Sequence, residues 1–165
     1  MPATYEPIAT TTLGSSVTNF SFTSIPSGYT DLRLSLSAVG TSGGSLLIQV
    51  NTGVSTSQTV IQGSTATSTP SSARGAGWYA ARSGFSLETQ QPSFIIVDIF
   101  NYSSTSTFKT ALGSTNNNKN GTGIVNAWVG LAQTTSAITS IKISEWTGTT
   151  IDSGTTATLY GILKA

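Results

Sequence analysis

The chain has 165 residues, with seven Lys or Arg, six Asp or Glu, no His and no Cys, and one residue in three is Ser or Thr. Without His or Cys the usual general base near neutral pH, the thiolate nucleophile and the softer metal ligands are missing, so most catalytic and metal-binding chemistry is excluded. The net charge is only +1, carried on isolated Lys and Arg residues, and no apolar run approaches the ~20 residues that span a bilayer. The expectation is a module that is not an enzyme and has no cofactor, no metal, no nucleic-acid partner and no membrane partner.

Residues 1–7 contain Pro2 and Pro7 and do not alternate, which suits an extended N-terminal arm able to add to a neighbour's sheet edge. Tyr5, Glu6 and Pro7 are therefore candidate contact residues, and no secretory leader is visible. Strands are predicted from Ile8 to Leu13 and Val17 to Phe22, followed by a turn at Ile25-Pro26-Ser27-Gly28. From Asp31 to Val39 the leucines Leu32, Leu34 and Leu36 alternate with Arg33, Ser35 and Ser37, the pattern of a strand with one wet side. Leu46, Ile48 and Val50 repeat it.

The Ser/Thr/Gly-rich stretch Gly63 to Gly77 is the least strand-like and reads as a long loop, an arm or a subunit contact. A short strand follows at Gly77 to Ala81, where Trp78, Tyr79 and Arg82 are a second set of candidate contacts, because interfaces are enriched in these residue types. One of the two adjacent aromatics must face inward, since neighbouring strand residues point to opposite faces. Phe94 to Phe100 is apolar on both faces apart from Asp98, and Ile124 to Leu131 is similar. Both read as central strands covered on two sides. Further strands are predicted at Phe108 to Gly113, Ser140 to Trp146 and Thr155 to Leu163, with turns at Asn101-Tyr102-Ser103, Asn116 to Gly123 and Asp152-Ser153-Gly154. Trp128 and Trp146 are expected in the core. About ten short strands and no helical periodicity point to one all-β domain over residues 1–165, an antiparallel β-sandwich of jelly-roll type.

Six carboxylates leave a glycosidase pair, with Asp98 facing a carboxylate on another strand and Asp98 or Glu88 as the residues to test, only a minor alternative, and Asp98 is expected to bond a neighbouring Ser, Thr or Arg. There is no Gly-x-Ser-x-Gly, and the Asn116 to Asn120 run lacks the carboxylate that calcium sites usually use.

Several stretches resemble a known group. They are Tyr5-Glu6-Pro7-Ile8-Ala9-Thr10-Thr11-Thr12-Leu13-Gly14, the segment Phe22 to Leu32 with Ile25-Pro26-Ser27-Gly28-Tyr29, the segment Phe100 to Thr110 with Asn101-Tyr102-Ser103, Val129 to Ile141, and Gly154 to Ile162. Together they are similar to small virion structural proteins of tailed bacteriophages, a group that includes capsid decoration proteins and tail-fibre or receptor-binding domains. The resemblance implies a structural part of a virion and brings no catalytic residues. A strand pattern that begins within the first ten residues and runs to the C-terminus fits a free-standing decoration (cement) subunit. The expectation is a homotrimer on the outer capsid surface that bridges subunits of the major capsid protein. The alternative is a tail module recognising host surface glycans through Trp78, Tyr79 and the Asn-rich loop.

Overall fold

The computed structural model describes residues 4–63, 68–80, 87–89, 91–119 and 122–163. They form twelve strands: β1 (Tyr5–Thr12), β2 (Asn19–Phe22), β3 (Asp31–Ala38), β4 (Leu46–Val50), β5 (Thr56–Gly63), β6 (Ser68–Gly75), β7 (Trp78–Tyr79), β8 (Ser93–Phe100), β9 (Lys109–Lys119), β10 (Thr122–Ala132), β11 (Ile141–Glu145) and β12 (Thr156–Ile162). All pairings are antiparallel. An eight-stranded sheet runs β1-β12-β3-β8-β9-β10-β5-β6 and faces a four-stranded sheet, β2-β11-β4-β7. The fold is an all-β sandwich.

Alternation builds the core between the sheets. Leu32, Leu34 and Leu36 of β3, Ile95, Val97 and Ile99 of β8 and Leu159 of β12 point inward and meet Phe22, Ile48, Val50, Ile141 and Ile143 of the smaller sheet. Each such side chain contributes about 1.5–3 kcal/mol by leaving water. Beyond β8 the core continues as two tryptophans, Trp78 and Trp128, whose rings lie 5.9 Å apart with 34° between their planes. Two glycines make room for them. A Cβ at Gly113 would come within 1.9 Å of the Trp128 ring, and one at Gly130 within 2.5 Å of the Trp78 indole nitrogen.

The strand count exceeds the ten expected because β5 and β6 occupy a region whose composition resembles a loop. The described residues between Gly63 and Gly77 are largely strand: β6 pairs with β5 along its whole length, with Pro70 on this outer edge where a missing N–H is tolerated. The expected turn from Asn116 to Gly123 is also mostly strand, since β9 runs to Lys119 and β10 begins at Thr122. The expected extended arm is ordered as sheet from Tyr5 onward: β1 pairs with β12, with a register shift between Pro7 and Ala9. Over Tyr5 to Pro7 the arm expected across residues 1–7 is thereby corrected to an edge strand, and residues 1–3 lie outside the described residues.

Candidate interaction surfaces

The outer face of the eight-stranded sheet has two parts. Over β1, β12 and β3 it carries cross-strand hydroxyls, with Thr10 paired to Thr158 at 3.0 Å and Thr12 to Thr156 at 3.1 Å, and Ser35 and Ser37 beside them. The boundary is a bidentate ion pair: Arg33 donates to the Asp98 carboxylate at 2.6 and 2.7 Å, and its guanidinium lies 5.3 Å from the centre of the Tyr5 ring. Asp98 is thus held by Arg33, as one of the expected partners. Hydrogen bonding to Asp98 raises the Arg33 pKa further.

Past that boundary the outer face carries an apolar cluster set among exposed Thr59, Thr110, Ser114 and Asn116. Phe94 and Ile96 of β8, Leu112 of β9, Val125 and Val129 of β10 and Ile61 of β5 are all exposed, Ile61 by 63%. They are six of the nine exposed large hydrophobic residues among the described ones. Leu112 and Val129 are direct cross-strand partners. On one side of this pair lies a groove of about 790 Å³ that reaches Arg74 and Phe100, and on the other a depression of about 350 Å³ over Gly113 and Ala127. The segments Phe94 to Phe100 and Ile124 to Leu131 were expected to be covered on both sides. The chain itself covers only their inner side.

The inner face of the hairpins β5–β6 and β9–β10 departs from the usual pattern in the opposite sense. It still carries Val60, Ile124 and Trp128, but Thr56, Gln58, Lys109, Thr115, Asn117 and Asn126 are buried among them. These are six of the eight buried polar or charged residues among the described ones. Gln58 clamps β7, accepting from the Tyr79 N–H at 2.9 Å and donating to the Tyr79 carbonyl at 2.8 Å, and Thr115 donates to the Ala80 carbonyl. Both amide atoms of Asn126 lack a partner, as do the indole N–H groups of Trp78 and Trp128.

Trp78 is fully buried, so the surface contact expected of it is corrected to a core role. Tyr79 points to the opposite face, and its partner is Trp146, which lies in edge-to-face contact at 5.7 Å and 83°. Trp146 was expected in the core and is instead 58% exposed. The reason lies one residue earlier. Glu145 accepts from the N–H groups of Ser45, Thr147, Gly148 and Thr149 and from the Thr147 hydroxyl, which winds the chain into a tight turn and presents Trp146 beside the small sheet. Burial alone pushes the Glu145 carboxyl up, but the donors from Thr147, Ser45 and Thr149 outweigh it and bring the pKa to about 2. Arg82 lies outside the described residues.

Glu6 serves the interior: it accepts from the Tyr29 hydroxyl at 3.1 Å, with the Tyr29 ring lying against Gly161. Tyr102 is buried and donates to the Pro26 carbonyl, and its own carbonyl accepts from the Ile138 N–H at 2.9 Å. Lys109 is fully buried, its ammonium donating to the carbonyls of Ser104, Thr107 and Thr135 at 2.6, 2.8 and 2.9 Å and, more weakly, to Thr134 at 3.4 Å. Burial lowers its pKa. The segments Phe22 to Leu32, Phe100 to Thr110 and Val129 to Ile141 are therefore joined to one another by hydrogen bonds between their turns.

No family model, curated protein or solved structure matches the chain. Among the described residues there is no cluster of three or more His, Cys, Asp or Glu that could hold a metal ion, and no helix long and apolar enough to cross a membrane.

Proposed function

We propose that the chain is a structural assembly subunit, a capsid decoration protein of a tailed bacteriophage, which works by covering surface on the outside of the head and bridging neighbouring subunits of the major capsid protein. The observation that carries the assembly part is the exposed apolar face over β8, β9, β10 and β5, since contiguous apolar patches above a few hundred Å² mark interaction sites. The virion setting rests on the sequence resemblance, whose motifs form the turn cluster around Tyr102 and Lys109. Binding that adds buried area only in the assembled shell stabilises that shell by mass action. The jelly-roll reading has support of its own. With the hairpins β5–β6 and β9–β10 set aside, β1-β12-β3-β8 faces β2-β11-β4-β7, and the chain crosses from one sheet to the other at every step except β4 to β7.

The test is the copy number of this chain per purified particle, measured by quantitative mass spectrometry against the major shell protein. A ratio within a few-fold of one to one is expected. A few copies per particle would contradict decoration.

A second reading, a tail module that binds host glycans, is favoured by the Tyr79–Trp146 pair, an exposed aromatic platform with Gln49 and Ser144 on the same face of the small sheet. It predicts that Trp146→Ala abolishes binding of the particle to host envelope polysaccharide and leaves the copy number on the particle unchanged.

A further inference from the structure

We infer that the apolar face over β8, β9, β10 and β5 docks on the same face of a second copy of this chain, in a two-fold, sheet-on-sheet contact. The inference rests on the assembly reading above and names the occupant of that surface.

Shape is the first argument. The Leu112–Val129 pair forms a ridge in the middle of the face, and the adjacent row, Ser114 and Ala127, forms a trough walled at its two ends by Ile96 and Ile61. The depression of about 350 Å³ lies over the Ala127–Ile61 end of this trough, beside the Leu112–Val129 ridge. A two-fold axis between the two rows sets the ridge of each copy into the trough of the other, so one surface supplies both halves of the fit, as an isologous contact requires. Side-chain interdigitation of this kind fills the ~10 Å layer between stacked sheets.

Size is the second. Strands spaced ~4.8 Å apart and rising ~3.4 Å per residue give β8, β9, β10, β5 and β6 a face of roughly 24 by 27 Å, about 650 Å² in projection, and side-chain relief raises the accessible area above that. A stable standard interface takes about 800 Å² from each partner. The face is thus large enough for a dimer.

Charge is the third. Arg33 and Asp98, at the edge of the face, neutralise each other. Arg74 stands across the groove on the outermost strand, and Leu112, Ser114, Ala127, Val129, Ile96 and Ile61 between them are uncharged. With a net charge of +1, two copies meet with little repulsion. The sequence gives the same indication independently: β8 and β10 are apolar on both sides, as strands covered on both sides are, and the chain covers one. Closure through one self-complementary face gives two copies, so the inference is of a two-fold unit where the sequence expectation was a trimer.

The experiment is sedimentation velocity on the full chain from low micromolar to about 100 μM. The expected species has twice the 17.0 kDa chain mass. Leu112→Arg and Val129→Arg, each placing a charge on the ridge, are expected to weaken association at least a hundred-fold. Thr10→Arg, on the hydroxyl half of the same sheet, leaves it unchanged. Near-UV circular dichroism checks that each variant keeps its tryptophan packing, and Ala127→Arg, which fills the trough, replaces any variant that does not.

A monomer throughout the range, a trimer, or a dimer indifferent to these ridge and trough variants would overturn the inference. A monomer that binds purified shells and loses that binding with Leu112→Arg also overturns it, because the face then belongs to the shell, and the decoration reading survives. A dimer broken by Leu112→Arg in a protein present at only a few copies per particle upholds the contact and removes the decoration reading.

Discussion

Over β1, β12 and β3 the exposed side of the large sheet carries threonines bonded to one another across β1 and β12, with serines beside them on β3; two and three strands further on, at β9 and β10, exposed Leu112, Val125 and Val129 stand on the same side. Backbone geometry is the same in both places. Their inner faces differ as well: under the first lie leucines, isoleucines and valines, whereas under the second Gln58, Thr115, Asn117 and Asn126 are buried beside two tryptophans. The first region is arranged as an isolated protein in water requires, polar outside and apolar inside. In the second, part of the apolar surface that burial would normally use stands outside, and on this feature rests the proposed contact over the hairpins β5–β6 and β9–β10.

Substitutions can break or sharpen this contrast. Leu34→Ala, in the ordinary half, removes a fully buried side chain and is expected to cost about 2–5 kcal/mol, whereas Leu112→Ala is expected to stay within ~0.5 kcal/mol when measured on the monomer. Denaturant unfolding of dilute protein compares the two, and a cost at Leu112 equal to that at Leu34 would erase the distinction. Lys109→Met leaves four carbonyl groups without their ammonium and is expected to cost about 2–3 kcal/mol, a buried polar residue of the hairpins that is fully partnered.

Glu145, beside the separate aromatic surface, provides a pH-dependent effect. Its folded pKa of about 2 lies below the ordinary 4.5, so its stabilising contribution is complete above pH 4.5 and is withdrawn as the pH falls from 4.5 toward 2. Thermal melts over this window should fall less steeply for Glu145→Gln than for the wild type. The smallest effect is expected at Asn126. Its two amide atoms have no partners, so Asn126→Leu should be neutral or stabilise by up to ~1 kcal/mol in the same unfolding assay. A clear loss of stability would mean that this amide is bonded in solution and that the hairpin interior is less polar in effect than its composition suggests.

Much of this organisation was legible in the residues. The Leu32-Leu34-Leu36 alternation fixes β3 and its inward face, and the two-sided apolarity of β8 and β10 is visible without coordinates. What local pattern does not reveal is the identity of the covering surface, which depends on how far the four-stranded sheet extends beneath an eight-stranded one. β5 and β6 escaped because Thr, Gln, Ser and Pro at an edge look like a loop until a partner strand supplies the hydrogen bonds. Trp78 and Trp146 exchanged roles for similar reasons. Space for Trp78 comes from Gly130 on a distant strand, and the exposure of Trp146 comes from the turn that Glu145 organises with Ser45.

The most direct measurement of the central claim uses the absence of native cysteine. Ser114→Cys places one thiol in the trough between the apolar strands, and Thr10→Cys places one on the hydroxyl half; both positions are exposed in the single chain. Maleimide labelling at about 100 μM should be slow at Ser114→Cys and fast at Thr10→Cys, and the two rates should converge when Leu112→Arg is added. Equal, fast labelling at both positions in the otherwise wild-type chain would show that the apolar face stands open to water and would contradict the claim.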